Sequence, residues 1–556
     1  MKKGILFLSL FAVLFSCNDA TDIIQKGELN DARLFTNVAN LQLFMNETYD
    51  RLNTETDIIV SSKLSDEIAI ASGLTVDDTQ RFFVVTTNGE ADAIWSNHYQ
   101  LINYCNRVIR GATFFTPTTA ADIAQYNSIL AQARALRAFA HFELMVYFSK
   151  DLSDSSALGV MLVDRVPSIN EDIPRSTNGA LYTFIEGDLT YAEANLGTPN
   201  AGATPVTAAN AYKYVSVNMI NALRARMYLY RKDYPQALTY ANAVINARPL
   251  SQSTFAFTGA TAAYPLTSAV IPAVGAASGS TTINTAPSAT NPAQAVQRAL
   301  YTIDQWTSTT SPEYRKIWVD AVQGEVLWAV DRQNNRTNFS SRYNTNGSYL
   351  TGGPLFDMGR NLFNLYTQPL GGGAEDFRRW SFIDRSATIS ATPATATRVT
   401  EQIVIDKYPG KAGSHTANDL KVFRASEIYF IKAECLVRSN DLLGAAGLIQ
   451  QVRQARNYII GAVVPTPVYA NPTAALNDIL TERRKELAFE GHRYIDLKRL
   501  GADAGVTGTD RDATDGVNSS ATSPLNILLG DYRFTLPIPQ GEININPLVP
   551  NEGYGG

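Results

Sequence analysis

A mainly α-helical scaffold, interrupted by one large loop-rich insertion, is predicted by three observations. The segment NALRARMYLYRKDYPQALTYANAVI (221–245) reads as helix, break, helix. IYFIKAECLVRSNDLLGAAGLIQQV (428–452) superposes on it, Ala225 meeting Ala433, Asp233 meeting Asp441 and Ala237 meeting Ala445. Helical periodicity also runs through Ala39–Asn53 and Ala91–Gly111. The composition then changes over 251–420, where Ser251–Ala295 is rich in Ala, Thr, Ser, Gly and Pro and reads as loops and short elements.

From the N-terminus, Lys2 and Lys3 precede an apolar run, Ile5–Phe15, about half the ~20 residues needed to span a bilayer. It stops at Phe15-Ser16-Cys17, a relaxed lipoprotein cleavage box. Residues 1–16 are therefore expected to be an export signal, Cys17 the lipidated residue and 17–35 a polar tether. The scaffold is expected over 36–250 and 421–556, with the insertion, 251–420, between them.

Within 91–111, Trp95, Tyr99, Ile102, Asn106 and Ile109 share one face, so Asn106 should be hydrogen-bonded inside the core. Asp122–Phe148 is predicted as a long helix whose Ala135, Ala138, Phe142 and Met145 alternate small and large for close packing. The two repeats have tetratricopeptide features: small residues before the break, an Asp in it and Ala after it. With the pairs near 95–148 and 471–500 they make about four hairpins, which stack to bury a continuous core. In the insertion, Val326–Ala329 is a strand candidate, and Trp318 and Trp328 are assigned to the core.

The stretch TERRKELAFEGHRYIDLKRLG (481–501) follows a helix start at Asn471 and Pro472. Arg483 and Glu490 lie on the apolar stripe of Leu476, Ile479, Leu480 and Leu487, with Glu486 at its edge. Helical spacing lets these three charges meet, and their net −1 calls for an arginine from elsewhere in the chain. Gly491 is expected to end the helix, with Tyr494 and Leu497 inward in a short second one.

This stretch resembles the C-terminal signature of the SusD/RagB family, roughly ER-x-x-ELAFEG-x-R-x-x-DL-x-R. Further likenesses are W-x3-Y-x2-I-x3-N-x2-I from Trp95, RALRAFAHFEL within 122–148, Asp376-Phe377-Arg378-Arg379 (D-x-R-R), Ile405–Tyr408 (K-Y), and the tail FTLPIPQGEININPLVPNEGY. The resemblance implies a SusD-like fold and a lipid-anchored nutrient-binding protein on the outer membrane, facing the cell exterior. It implies capture of an oligosaccharide and delivery to a SusC-like TonB-dependent transporter; it also allows peptides or protein fragments as ligand.

The residues themselves bound these readings. A net charge of −5 and a pI near 5.6 argue against nucleic acid. Cys105 and Cys435 sit in helical patterns as buried thiols. His98 and His141 read as core or edge histidines, His492 as a structural donor and His415 as a loop residue, so no metal site or cofactor is expected. Walker, G-x-S-x-G, H-E-x-x-H and CxxC motifs are absent, and no catalytic residue is assigned. Carboxylates are plentiful but no acid pair stands out, which leaves a helical glycosidase as a lesser alternative and a protein-holding scaffold as another. Binding is expected where loop aromatics can stack on sugar rings: Trp306, Tyr314, Tyr343 and Tyr349 in the insertion, with Asp66, Arg81 and Phe82 in the 61–85 loop that the resemblance places at the ligand groove.

Overall fold

A computed structural model describes residues 31–71, 77–168, 171–197, 200–201, 204–207, 209–254, 312–332, 339–343, 355–383, 401–411, 417–515 and 524–555. The signal, Cys17, Trp306, Tyr349, His415 and most of the tether lie outside these residues. The tether's last part belongs to the fold: Asp31–Leu34 is a helical turn and Phe35 is buried.

The chain opens with helices α1 (Val38–Asp50) and α2 (Glu55–Lys63), strand β1 (Ile68–Ile70), and the long pair α3 (Gly89–Gly111) and α4 (Ala120–Phe148). Asn37, Asn88 and Thr119 cap α1, α3 and α4, their side chains accepting from backbone N–H groups of the first turn. α4 is the axis of the molecule. From Ser128 to Phe148 every side chain but Arg134 is buried, the apolar ones in the core and Arg137 paired with Asp188 and Asn106. Its small residues, Ala131, Ala135 and Ala138 among them, let neighbours approach closely. α3 packs on one side and α5 (Asn178–Asn195) on the other. Asn106 meets its expectation: its amide donates to the carbonyls of Val163 (3.0 Å) and Arg165 (2.8 Å) and its oxygen accepts from Arg137 (2.6 Å).

The two repeats are α6 (Val217–Tyr230) with α7 (Tyr234–Val244), and, after the insertion, α9 (Ala425–Arg438) with α10 (Leu442–Arg456); within the insertion lies the short α8 (Glu313–Trp318). The repeats match in detail. Lys232 and Asn440 both adopt a left-handed backbone (φ 62° and 64°), and Asp233 and Asp441 follow as N-caps. Ala225, Ala433, Ala237 and Ala445 are all buried, and α9 packs against both α6 and α7, so the distant hairpins form one body.

The insertion is stitched into this body by two antiparallel pairs. β2 (Val326–Val330) pairs with β4 (Leu420–Arg424), which leads straight into α9; β3 (Phe356–Met358) pairs with β1. Trp318 and Trp328 are core, as expected; the Trp328 ring meets Phe139 of α4 edge-on at 5.0 Å.

α11 (Pro472–Glu486) starts at the Asn471 cap with Pro472 in its first turn. It ends at Glu486, before Gly491: the chain turns through Phe489 (φ 62°) and Gly491 (φ 90°) and restarts as α12 (Arg493–Leu500), with Tyr494 and Leu497 buried. The tail closes over α3 and α4. Leu536 N donates to Tyr147 O (2.9 Å), the Trp95 indole donates to Glu542 (3.1 Å), and Gln540–Ile545 is a short helix inside the extended run. Cys105 and Cys435 are buried free thiols.

Candidate ligand-binding face

The charged signature residues form a sealed ion cluster rather than a binding site. Glu486 Oε1 accepts from Arg424 Nη1 (2.8 Å), Arg456 Nη2 (2.9 Å) and the Tyr314 hydroxyl (3.2 Å); Oε2 accepts from Arg456 Nε (2.9 Å) and Arg378 Nη1 (3.1 Å). Arg378 also grips Asp376 and Glu482, Arg456 grips Glu325, and Arg424 and Lys407 share Glu490. Burial would push the Glu486 carboxyl up, but the guanidinium groups of Arg456 and Arg424 hold it well below the usual carboxylate range. The D-x-R-R and K-Y segments thus supply partners to the same interior cluster as the signature helix.

The expected grouping of Arg483 with Glu486 and Glu490 is corrected by this geometry. Arg483 instead donates from Nε to Asp496 of α12 (2.7 Å), and Arg499 bridges Asp496 and Glu434. The helix stops at Glu486, so Glu490 does not continue its face and swings to Arg424 and Lys407. The foreign arginine expected for the cluster is three: Arg378, Arg424 and Arg456.

The same interior claims four of the expected ligand residues. Tyr314 is fully buried, its ring beneath the Arg456 guanidinium at 3.9 Å. Tyr343 is packed among Phe339, Phe356, Tyr408 and Phe489. Asp66 is gripped by Arg493 at 2.7 and 2.8 Å and accepts from Asp510 N. Burial would raise its pKa, but Arg484 and Arg493 hold it below the usual range. Phe82 is 2% exposed, with the Arg511 guanidinium 4.0 Å from its ring centroid. Each has its polar or ring surface already occupied, so none offers a free face to a ligand here.

Arg81 does reach the surface, facing Asp78 at 3.6 Å. The exposed ring of this turn is Phe83, which is not among the expected ligand residues. Phe82 sits at φ 60°, which turns the chain so that Phe83 points outward, 50% exposed, with Val85 at 40%. Nothing in two adjacent phenylalanines says which one faces solvent; the left-handed turn decides it.

That turn is firmly held. Asp77 accepts from Gln80 N (2.9 Å) and pairs with Lys63 (2.5 Å), which also pairs with Glu90. Asn88 donates to Thr79 (3.0 Å), and Arg511 donates to Gln80 O (2.5 Å). The β1–β3 pair lays Ile68–Ile70 beside the insertion, and Lys63 Nζ lies 5.6 Å from the Phe356 ring centroid. The turn displays an aromatic ring, a guanidinium and the Asp78 carboxylate, and its link to the insertion runs through Lys63, which pairs with Asp77 and approaches Phe356. Among the described residues no group of His, Cys, Asp or Glu is arranged to hold a metal, and no helix is long and apolar enough to cross a membrane.

Two family models match: one described as SusD family over residues 390–554, and one described as starch-binding associating with outer membrane over residues 22–216. SusD-like protein P2 of Formosa agariphila is 23% identical, with both chains covered completely. A SusD superfamily protein from Bacteroides thetaiotaomicron has the same fold, with a TM-score of 0.68 at 19% identity over 93% of this chain and 100% of that one. A laminarin-binding SusD-like protein superposes with a TM-score of 0.59 at 19% identity over 94% of this chain and 100% of that one.

Proposed function

Because the chain belongs to the SusD/RagB family, we propose that it is a non-catalytic, surface-displayed glycan receptor whose ligand sits where the 77–88 turn meets the insertion. The observation that carries this is Phe83: an exposed ring on a turn whose neighbours are fixed by ion pairs and backbone hydrogen bonds. A sugar presents a flat C–H face to such a ring, and Arg81 and Asp78 stand close enough to bond its hydroxyls. A preformed site loses little entropy on binding, which suits a receptor that must capture dilute material.

The starch-binding description of the matching family and the laminarin-binding neighbour support a glycan ligand. Lipidation at Cys17 would hold the protein at the outer membrane, and a TonB-dependent transporter would receive the glycan; both rest on the leader sequence and the family resemblance. Calorimetric titration of the full chain against neutral β-glucan and α-glucan oligosaccharides and a peptide panel tests the reading. Binding of a glycan and its weakening in Phe83→Ala support it; binding of peptides alone moves the function to the peptide alternative.

A further inference from the structure

On the exposed side of α3, away from the turn just described, Tyr99, Gln100, Asn103, Tyr104 and Arg107 line a concavity of about 460 Å³ that Phe44 of α1 closes. Its walls are fixed. The Tyr99 hydroxyl both donates to Met161 O (3.0 Å) and accepts from Met161 N (2.8 Å). The Tyr104 ring stacks on Phe44, centroids 5.4 Å apart, Phe35 meets Phe44 edge-on at 5.2 Å, and the Arg51 guanidinium lies 5.1 Å from the Tyr104 centroid. Phe44 and Arg51 lie two turns apart on the same helix face, so the tyrosine ring is gripped between them.

The polar lining is Gln100, Asn103 and Arg107, with the two tyrosines, and Arg107 supplies its one charge. Asn103 Oδ1 accepts from Arg107 Nε (2.9 Å), which fixes the amide and turns its NH2 away from that bond. The Asn103 NH2 and the two terminal NH2 groups of Arg107 have no hydrogen-bond partner among the described residues, and Arg107 has no carboxylate partner there. No acidic side chain lines the concavity. The Arg107 charge and the open N–H groups of Arg107 and Asn103, flanked by ring edges, favour a ligand that supplies acceptors and negative charge.

We propose that this concavity is a second carbohydrate site, taking a sugar unit that carries an anionic substituent, a carboxylate or a sulfate ester. That the ligand is a sugar rests on the receptor reading above; the location and the charge preference rest on α3 alone. Arg107 takes the anionic group in a forked contact, Asn103 donates to a neighbouring hydroxyl, and the Phe44 and Tyr104 edges pack on the ring carbons.

Calorimetry on the full chain tests this with three probes: a neutral gluco-oligosaccharide, a uronate oligosaccharide and a sulfated galacto-oligosaccharide. The proteins are wild type, Arg107→Ala, Asn103→Ala and Phe83→Ala. One or both acidic probes are expected to bind wild type and to lose about tenfold or more in affinity in Arg107→Ala, as the loss of one forked charged contact implies. That binding should weaken as salt is raised and be unchanged in Phe83→Ala. The uronate and sulfate arms tell the two anions apart. If acidic probes bind wild type and Arg107→Ala alike, or bind nowhere, the second site is overturned. If Phe83→Ala abolishes all binding, only the first site stands; if acidic binding is lost in Arg107→Ala while the neutral probe binds nowhere, only the second does.

Discussion

Glu486 receives Arg456 through both carboxylate oxygens, Nη2 on one and Nε on the other, each at 2.9 Å and with no exposed surface on either side chain. This pair ties the last turn of α11 to the end of α10, and through Arg424 and Arg378 to β4 and the insertion. The signature is therefore the joint of the scaffold.

Glu486→Ala should leave Arg378, Arg424 and Arg456 facing one another in the interior. The expected cost is about 3–5 kcal/mol, the scale for breaking a buried pair by removing one partner. Urea unfolding checks it; an unchanged midpoint would mean that water reaches the cluster.

Arg483→Ala should be a separate event. It uncouples Asp496, not Glu486, because the 2.7 Å contact is to Asp496. Asp496 keeps Arg499, so a smaller loss, about 1–3 kcal/mol, is expected. In a double-mutant cycle Arg483→Ala with Asp496→Asn should show coupling, and Arg483→Ala with Glu490→Gln should add within about 0.5 kcal/mol.

Stability should respond to pH through Glu143. Burial, against the opposing pull of Arg226, raises its carboxyl to about 7. A folded pKa above the unfolded one gives a contribution that is full below about 4.5 and is lost as pH rises through about 7. Glu67 behaves alike, raised to about 7 chiefly by burial. Glu143→Gln should therefore flatten the fall in unfolding free energy between pH 5 and 8. An identical slope in wild type and variant would contradict the assignment.

The left-handed positions of the two repeats give a paired test. Lys232→Gly should stabilise by about 0.5–1 kcal/mol, since a lysine bears the steric cost of that backbone and glycine does not. Asn440→Gly should gain less, because Asn tolerates the conformation better. Chemical denaturation of both variants reads the difference, and a larger gain at Asn440 would contradict it.

Much of the fold was legible because its signals are local. Asn471 and Pro472 start α11 by their own chemistry, and the repeat equivalence Asp233/Asp441 survives to the backbone angles of the residue before each. The candidate site was less so. Spacing placed Arg483 beside Glu490 on the assumption of a continuing helix, and one left-handed turn at Phe489 removed Glu490 from that face. Asp66 reads as a loop carboxylate, yet its partner Arg493 lies 427 residues along the chain, beyond any spacing rule. Tyr314 and Tyr343 lie in a loop-rich composition, but both fall in short helical segments that pack inward. Phe83 carries no signal distinguishing it from Phe82 until the backbone angle is known.

The central claim is best tested by a crystal structure of the full chain with the tightest oligosaccharide from the neutral panel. A sugar ring packed face-on against Phe83, within reach of Arg81, is the expected result. A sugar bound elsewhere on the surface, with Phe83 bare, would contradict it.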